Sequence, residues 1–161
     1  MIQNYSYSEP GGHAVNENAF RVVPHPQNPD CWLLTIGDGQ GGRAGGHRAS
    51  QLACNTVIDA ASAADSRSLL NPLNWVSLLR GADMAVAADP DASFTTLIGL
   101  CLFGDDVAGA SNGDSSVMAR SGSGVTTDLT AAQLNPPLSA RASPPSTLSP
   151  GGFRRLIPCS P

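Results

Sequence analysis

Residues 35–46 read TIGDGQGGRAGG. Six of the twelve are glycine, and a single carboxylate, Asp38, stands between the first two. Upstream, Ala19–Val23 (AFRVV) and Cys31–Ile36 (CWLLTI) are rich in β-formers and flank the proline-rich turn HPQNPD, so two adjacent strands are expected, the second running into the glycine loop. Downstream, Ala49, Leu52, Ala53, Val57 and Ala60 recur at helical spacing. Trp75, Leu79, Ala82 and Val86 do the same, with Asn71-Pro72 as cap and first-turn proline. SFTTLIGLCLF at 93–103 predicts a long buried strand closed by Gly104-Asp105-Asp106, and two short strands, 107–112 and 116–120, flank Gly113-Asp114-Ser115. The order strand, strand, helix, helix, strand, strand, strand suits an α+β protein whose strands pair antiparallel and whose helices cover a sheet face.

The composition narrows the function. A chain of 161 residues with 41% apolar residues is long enough for one domain with a core. A net charge of −4 and a pI near 5.1 point away from nucleic acid and from anionic membrane surfaces, which call for clustered positive charge. All nine basic residues are arginine, so a phosphate loop of the G-K-[ST] kind is excluded. Cys31, Cys54, Cys101 and Cys159 form no C-x-x-C pair and read as reduced thiols rather than a zinc or redox motif. The N-terminus MIQNYSYSEPGGH is polar, and the longest apolar run, LIGLCLF, is far too short to span a bilayer. The expectation is a cytoplasmic protein with no membrane partner.

Three readings of the glycine loop compete. Gly37, Gly39 and Gly42 satisfy G-x-G-x-x-G between a strand and a helix, the context of a dinucleotide fingerprint. Against that, Asp38 would set a carboxylate beside the pyrophosphate, a second helix replaces the strand that should follow, and the acid about 20 residues on, Asp59, falls inside a helix. A plain flexible turn is the second reading. The third makes Asp38 a ligand for a hard cation, Mg²⁺ or Mn²⁺, since a strand-end Asp followed by Gly lets a carboxylate and a backbone carbonyl reach one ion. Glu17, at the start of the strand expected to pair with the one ending at Asp38, is a candidate second carboxylate, and Asp114 in its tight turn is a third.

NENAF at 16–20, DGQGGRAGG at 38–46, SFTTL at 93–97 and NGDSS at 112–116 stand in the order and rough spacing of a known family. Over about residues 10–130 the chain resembles the metal-dependent type 2C, or PPM-type, protein serine/threonine phosphatases, corresponding to roughly the first half of the family domain. The resemblance implies two stacked antiparallel sheets flanked by helices, here a partial αββα sandwich, with two Mg²⁺ or Mn²⁺ ions at one end. It also implies roles: Asp38 bridges both ions, the Gly39 carbonyl and Glu17 serve one of them, and Asp114 faces a weaker additional metal. The substrate class it implies is a phosphoserine or phosphothreonine protein, hydrolysed by a metal-activated water.

Several positions depart from the family pattern. An arginine usually stands four residues before the glutamate; here it is His13, the candidate phosphate-binding residue, which is neither a fork nor permanently charged. The aspartate usual after the glutamate is Asn18, and the family's later Ser-Asp-Gly and Asp-Asn aspartates have no counterpart after Asp128. From Ser121 onward the chain holds seven of its thirteen prolines, so residues 1–130 are read as the phosphatase half-domain and 131–161 as a Pro/Ser-rich tail, disordered or aberrant. A truncated or frame-shifted member, inactive on its own, is the resulting expectation. A non-catalytic pseudophosphatase or interaction module is the alternative.

Overall fold

The computed structural model describes residues 3–12, 14–40 and 45–131, and the backbone of 151–156. The strand-rich stretches before the glycine loop form a hairpin of β1 (Asn18–His25) and β2 (Asn28–Asp38), paired antiparallel from Asn18 opposite Asp38 to Pro24 opposite Trp32. The turn is shorter than the sequence suggests, because the strands run on to His25 and start again at Asn28. His25 accounts for part of this. Its buried ring accepts from the Gln27 backbone N–H at Nδ1 (3.2 Å), which leaves the proton on Nε2 to donate to the Ala64 carbonyl (3.0 Å), tying the hairpin to the end of the first helix.

Along β2, Cys31, Leu33, Thr35 and Gly37 are buried on one face, while Trp32 and Leu34 are half-buried and Ile36 is 47% exposed on the other. The buried face meets α1 (Gly46–Ala63), whose Ala49, Ala53, Cys54, Val57 and Ala61 recur three and four residues apart. A single 3₁₀ turn, Ser68–Leu70, leads into α2 (Pro72–Ala88), where the Asn71 side chain caps the Leu73 N–H at 3.1 Å as the sequence indicated. Trp75, Leu79 and Ala82 turn inward. The Trp75 indole N–H donates to the Leu69 carbonyl at 2.7 Å, so this large side chain is wholly buried without an unpaired donor.

β3 (Leu97–Phe103) lies between β2 and β4 (Asp106–Asn112), antiparallel to both; Leu97 and Cys101 pack under the helices and Ile98 and Leu100 against Val117 and Leu129, which explains why its sequence is apolar on both faces. Residues 93–96, expected as part of this strand, lie before it and meet the end of β2 through the bridge of Thr95 to Gly39 and separate backbone bonds of Phe94 and Thr96. β5 (Met118–Arg120) and β6 (Thr126–Asp128) pair as a separate small sheet. Its flanking Val117 and Leu129 pack on Ile98, Leu100 and Val107, on the sheet face away from the helices. The architecture is the expected α+β arrangement of antiparallel strands with helices on one face, a partial sandwich.

One segment departs from the expected pattern. Residues Gly151–Leu156, within the stretch read as an unstructured tail, form β7 and pair antiparallel with β4, giving the sheet order β1-β2-β3-β4-β7. The physical reason lies in the edge: β4 would otherwise present a row of unpaired backbone groups, and a strand can fill such an edge whatever the composition around it. Cys31, Cys54 and Cys101 are buried free thiols, as expected, and Cys159 lies outside the described residues. Among the described residues no helix is long and apolar enough to cross a membrane.

Glycine has opposite effects at two places in this layer. A Cβ at Gly99 in β3 would stand 3.0 Å from Trp75 Cε3 and 3.1 Å from Leu79 Cδ1, whereas one at Gly81 on α2 would meet nothing within 4 Å. Gly99→Val is therefore expected to destabilise by roughly 1–3 kcal/mol. Gly81→Ala should stabilise by about 1 kcal/mol. Urea unfolding, with the midpoint moving at constant slope, checks both signs.

Candidate metal centre and its neighbours

The β1–β2 register carries the candidate carboxylates to one end of the sheet. Asn18 faces Asp38 across the ladder, so the next residues out, Glu17 and Gly39, also come together, and the Gly39 N–H donates to the Glu17 carbonyl at 3.2 Å. The same carbonyl accepts from the buried Ser50 hydroxyl at 2.6 Å, which fixes the Glu17 backbone to α1. His47 Nδ1 lies 2.9 Å from the Asn16 carbonyl, and Asn16 Oδ1 accepts from the Asn18 N–H at 3.0 Å. The NEN triplet is held on both sides.

The glycines of the loop act here by what they lack. A Cβ on Gly39 would collide with the Gly46 carbonyl and, at 2.7 Å, with that of Glu17. A Cβ on Gly46 would run into Glu17 Oε2 and come within 2.8 Å of the Gln40 carbonyl. Gly45, before the helix, has φ +98°, a conformation that costs glycine little. The first turn of α1 thus sits directly on the Glu17 carboxylate, at the positive end of the helix.

Glu17 Oε2 is buried with no hydrogen-bond partner among the described residues. A carboxylate oxygen withdrawn from water without a donor is costly unless a cation meets it. Asp38 is exposed and lines a cleft of about 340 Å³ together with Tyr7, Glu9, Asn18, Phe20 and Ser115. At its rim the Tyr7 hydroxyl donates to Glu9 at 2.5 Å, and that bond holds the Tyr7 hydroxyl above its usual pKa. An orphaned buried oxygen and an all-oxygen donor set are of the kind that a hard divalent cation takes. The residues that would hold it are Asp38, Glu17 and the Gly39 carbonyl.

Asp114 is exposed in its turn, and among the described residues no three His, Cys, Asp or Glu side chains converge on one point. The three carboxylates singled out in the sequence therefore do not form a common cluster. His13 lies outside the described residues, as does Gly42. The dinucleotide reading of Gly37, Gly39 and Gly42 does not fit the fold: β2 is antiparallel to both neighbours and α1 leads into α2, where such a site needs a parallel βαβ unit. Asp59 sits within α1.

Two participants escaped the sequence reading. Thr96 accepts the Asp38 N–H on its hydroxyl (3.1 Å) and donates its own N–H to the Asp38 carbonyl (2.9 Å). Ser115 shares a 2.7 Å bond with that hydroxyl. The SFTTL and NGDSS motifs contained both residues, but only the fold brings the two motifs together.

The family model for protein phosphatase 2C matches residues 13–136, which spans the hairpin, both helices and the two central strands. The chain belongs to the protein phosphatase 2C family. No curated protein gives a match to it. Among solved structures, this phosphatase 2C chain is similar to a bacterial serine phosphatase at 17% identity and a TM-score of 0.70, over 94% of this chain and 72% of that one. The serine/threonine phosphatase Stp1 from Staphylococcus aureus is similar at 18% identity and 0.67, over 95% and 70%. The catalytic domain of the serine/threonine protein phosphatase PstP, solved in complex with two manganese ions, is 26% identical with a TM-score of 0.50, over 70% of this chain and 54% of that one.

The tight seat of Gly46 on Glu17 gives a direct test in this phosphatase 2C chain. Gly46→Ala is expected to cost roughly 1–3 kcal/mol, as overpacking does elsewhere, and to displace the carboxylate. Thermal melting reads the first effect and the ¹³C shift of the Glu17 carboxyl the second.

Proposed function

We propose that this chain is a Mg²⁺- or Mn²⁺-binding phosphoserine/phosphothreonine phosphatase domain whose metal site rests on Asp38, Glu17 and the Gly39 carbonyl. The observation that carries this reading is the buried Glu17 Oε2, without a hydrogen-bond partner among the described residues and one residue beyond the register pair of Asn18 and Asp38. The family match over 13–136 supports taking residues 1–130 as the phosphatase half-domain. When bound, such ions supply an activated water and neutralise charge on the phosphoryl oxygens. The chain's own part would be to hold that chemistry in place: Asp38, which lines the cleft, would offer its carboxylate there, Glu17 would offer its own from against the start of α1, and the Gly39 carbonyl would add a neutral oxygen.

A hard divalent cation takes about six oxygen ligands in near-octahedral order. With two carboxylates and one carbonyl at hand among the residues described, positioning is incomplete, and misplacement by about 1 Å can cost about 100-fold in rate. We therefore read this chain as a metal-binding domain with little turnover of its own. The non-catalytic alternative stays beside it, since among the described residues no three His, Cys, Asp or Glu side chains converge.

Asp38→Asn is expected to abolish Mn²⁺ binding in titration calorimetry, with Glu17→Gln weakening it less. Equal, undiminished affinity in both variants would remove the site assignment. The 161-residue chain is expected to show no Mn²⁺-dependent hydrolysis of a phosphothreonine peptide above background; steady turnover that disappears in Asp38→Asn would show that three protein ligand groups suffice.

A further inference from the structure

The β2–β3 register runs Cys31 opposite Phe103 through Ile36 opposite Ile98, and continued by two residues it sets Asp38 opposite Thr96. In a regular antiparallel ladder such a pair exchanges two bonds, each N–H reaching the other's carbonyl. Only one of them forms here. The Thr96 N–H reaches the Asp38 carbonyl (2.9 Å), but the Thr96 carbonyl accepts instead from the Thr95 hydroxyl (2.8 Å). The Asp38 N–H turns to the Thr96 hydroxyl at 3.1 Å. A side chain has taken over one half of the backbone pairing at the residue that carries the carboxylate.

That hydroxyl has a second partner in the Ser115 hydroxyl, 2.7 Å away on the Gly113-Asp114-Ser115 turn. The turn is pressed against Thr96 as well: Gly113, at φ +102°, leaves no room for a Cβ, which would lie 2.7 Å from Thr96 Cγ2. Ser115 and Asp38 also line the same cleft. Thr96 thus touches the Asp38 backbone with two groups, its N–H and its hydroxyl, and the Asp114-bearing turn with two, its hydroxyl and its methyl.

We propose that Thr96 is a positioning residue for Asp38, its hydroxyl fixing the peptide of the metal-binding aspartate and linking it, through Ser115, to the turn that carries Asp114. The proposal rests on the reading of Asp38 as a metal ligand. Thr96 supplies no ligand itself. Its effect comes from replacing a ladder bond with one whose acceptor is held from the other side by Ser115, so the end of β2 and the Gly113 turn shift together.

The test uses the full chain and four variants, with two readouts: Mn²⁺ affinity by electron paramagnetic resonance, and hydrogen exchange of the Asp38 amide by NMR without metal. Thr96→Val keeps the shape and deletes the hydroxyl. It is expected to remove protection at the Asp38 amide and to weaken Mn²⁺ binding by about tenfold, the lower end for loss of a hydrogen bond to a metal ligand. Thr96→Ser should restore both. Ser115→Ala keeps the acceptor for Asp38 but leaves it untethered, and a smaller loss of affinity is expected; this variant and Thr96→Ser decide the matter should Thr96→Val not fold. Unchanged Mn²⁺ affinity in Thr96→Val and Ser115→Ala, with binding abolished in Asp38→Asn, overturns the role of Thr96 and leaves the metal reading intact. Undiminished binding in Asp38→Asn overturns both.

Discussion

The geometry of the site depends on one close approach: the first residue of α1, Gly46, seated against the Glu17 carboxylate and the Gly39 backbone. Only residues without a Cβ allow it. Because Gly39 also donates to the Glu17 carbonyl, the helix start, the end of β2 and the entry to β1 meet at a single junction. A carboxylate buried there with an unpartnered oxygen is unfavourable by itself, and the positive end of α1 offsets only part of that cost. The junction is built for charge rather than for stability alone.

The rest of the layer is arranged around keeping that junction in register. A slip of one residue between β1 and β2 would turn every inward side chain outward, and the cost of exposing Cys31 and Leu33 prevents it. Ser50 then anchors α1 to the Glu17 carbonyl, and His25 anchors the opposite end of the helix through Ala64. The Arg48–Asp89 pair, 2.7 Å apart at the surface, joins the start of α1 to the end of α2. With its arginine open to water, it contributes little compared with the packing of Trp75 and Leu79 on Gly99.

Much of this was legible in the sequence because it rests on local rules. Richness in β-formers around a proline-rich turn pointed to β1 and β2, helical spacing to α1 and α2, and Asn71-Pro72 to the start of α2. The four motifs pointed to the family that the match over 13–136 shows. β7 was not legible, since its pairing answers an open edge on β4 rather than a pattern in Gly151–Leu156. Nor was the role of Thr96, because a hydroxyl replacing a ladder carbonyl depends on a neighbour 58 residues away in the chain. That Asp38, Glu17 and Asp114 do not gather into one cluster among the described residues was equally out of reach, as spacing along a sequence does not fix which turns converge in space.

The two tryptophans fall on opposite sides of the sheet, Trp75 wholly enclosed beneath α2 and Trp32 half-buried on the face that the helices leave uncovered. The chain consequently carries a distinct fluorophore for each layer. The Trp75 indole, hydrogen-bonded to Leu69 and shielded from water, reports on the helix-covered core by the colour of its emission. The Trp32 indole is open to a dissolved quencher and so reports on whatever covers the other face. Each layer can be followed by its own light, without a label.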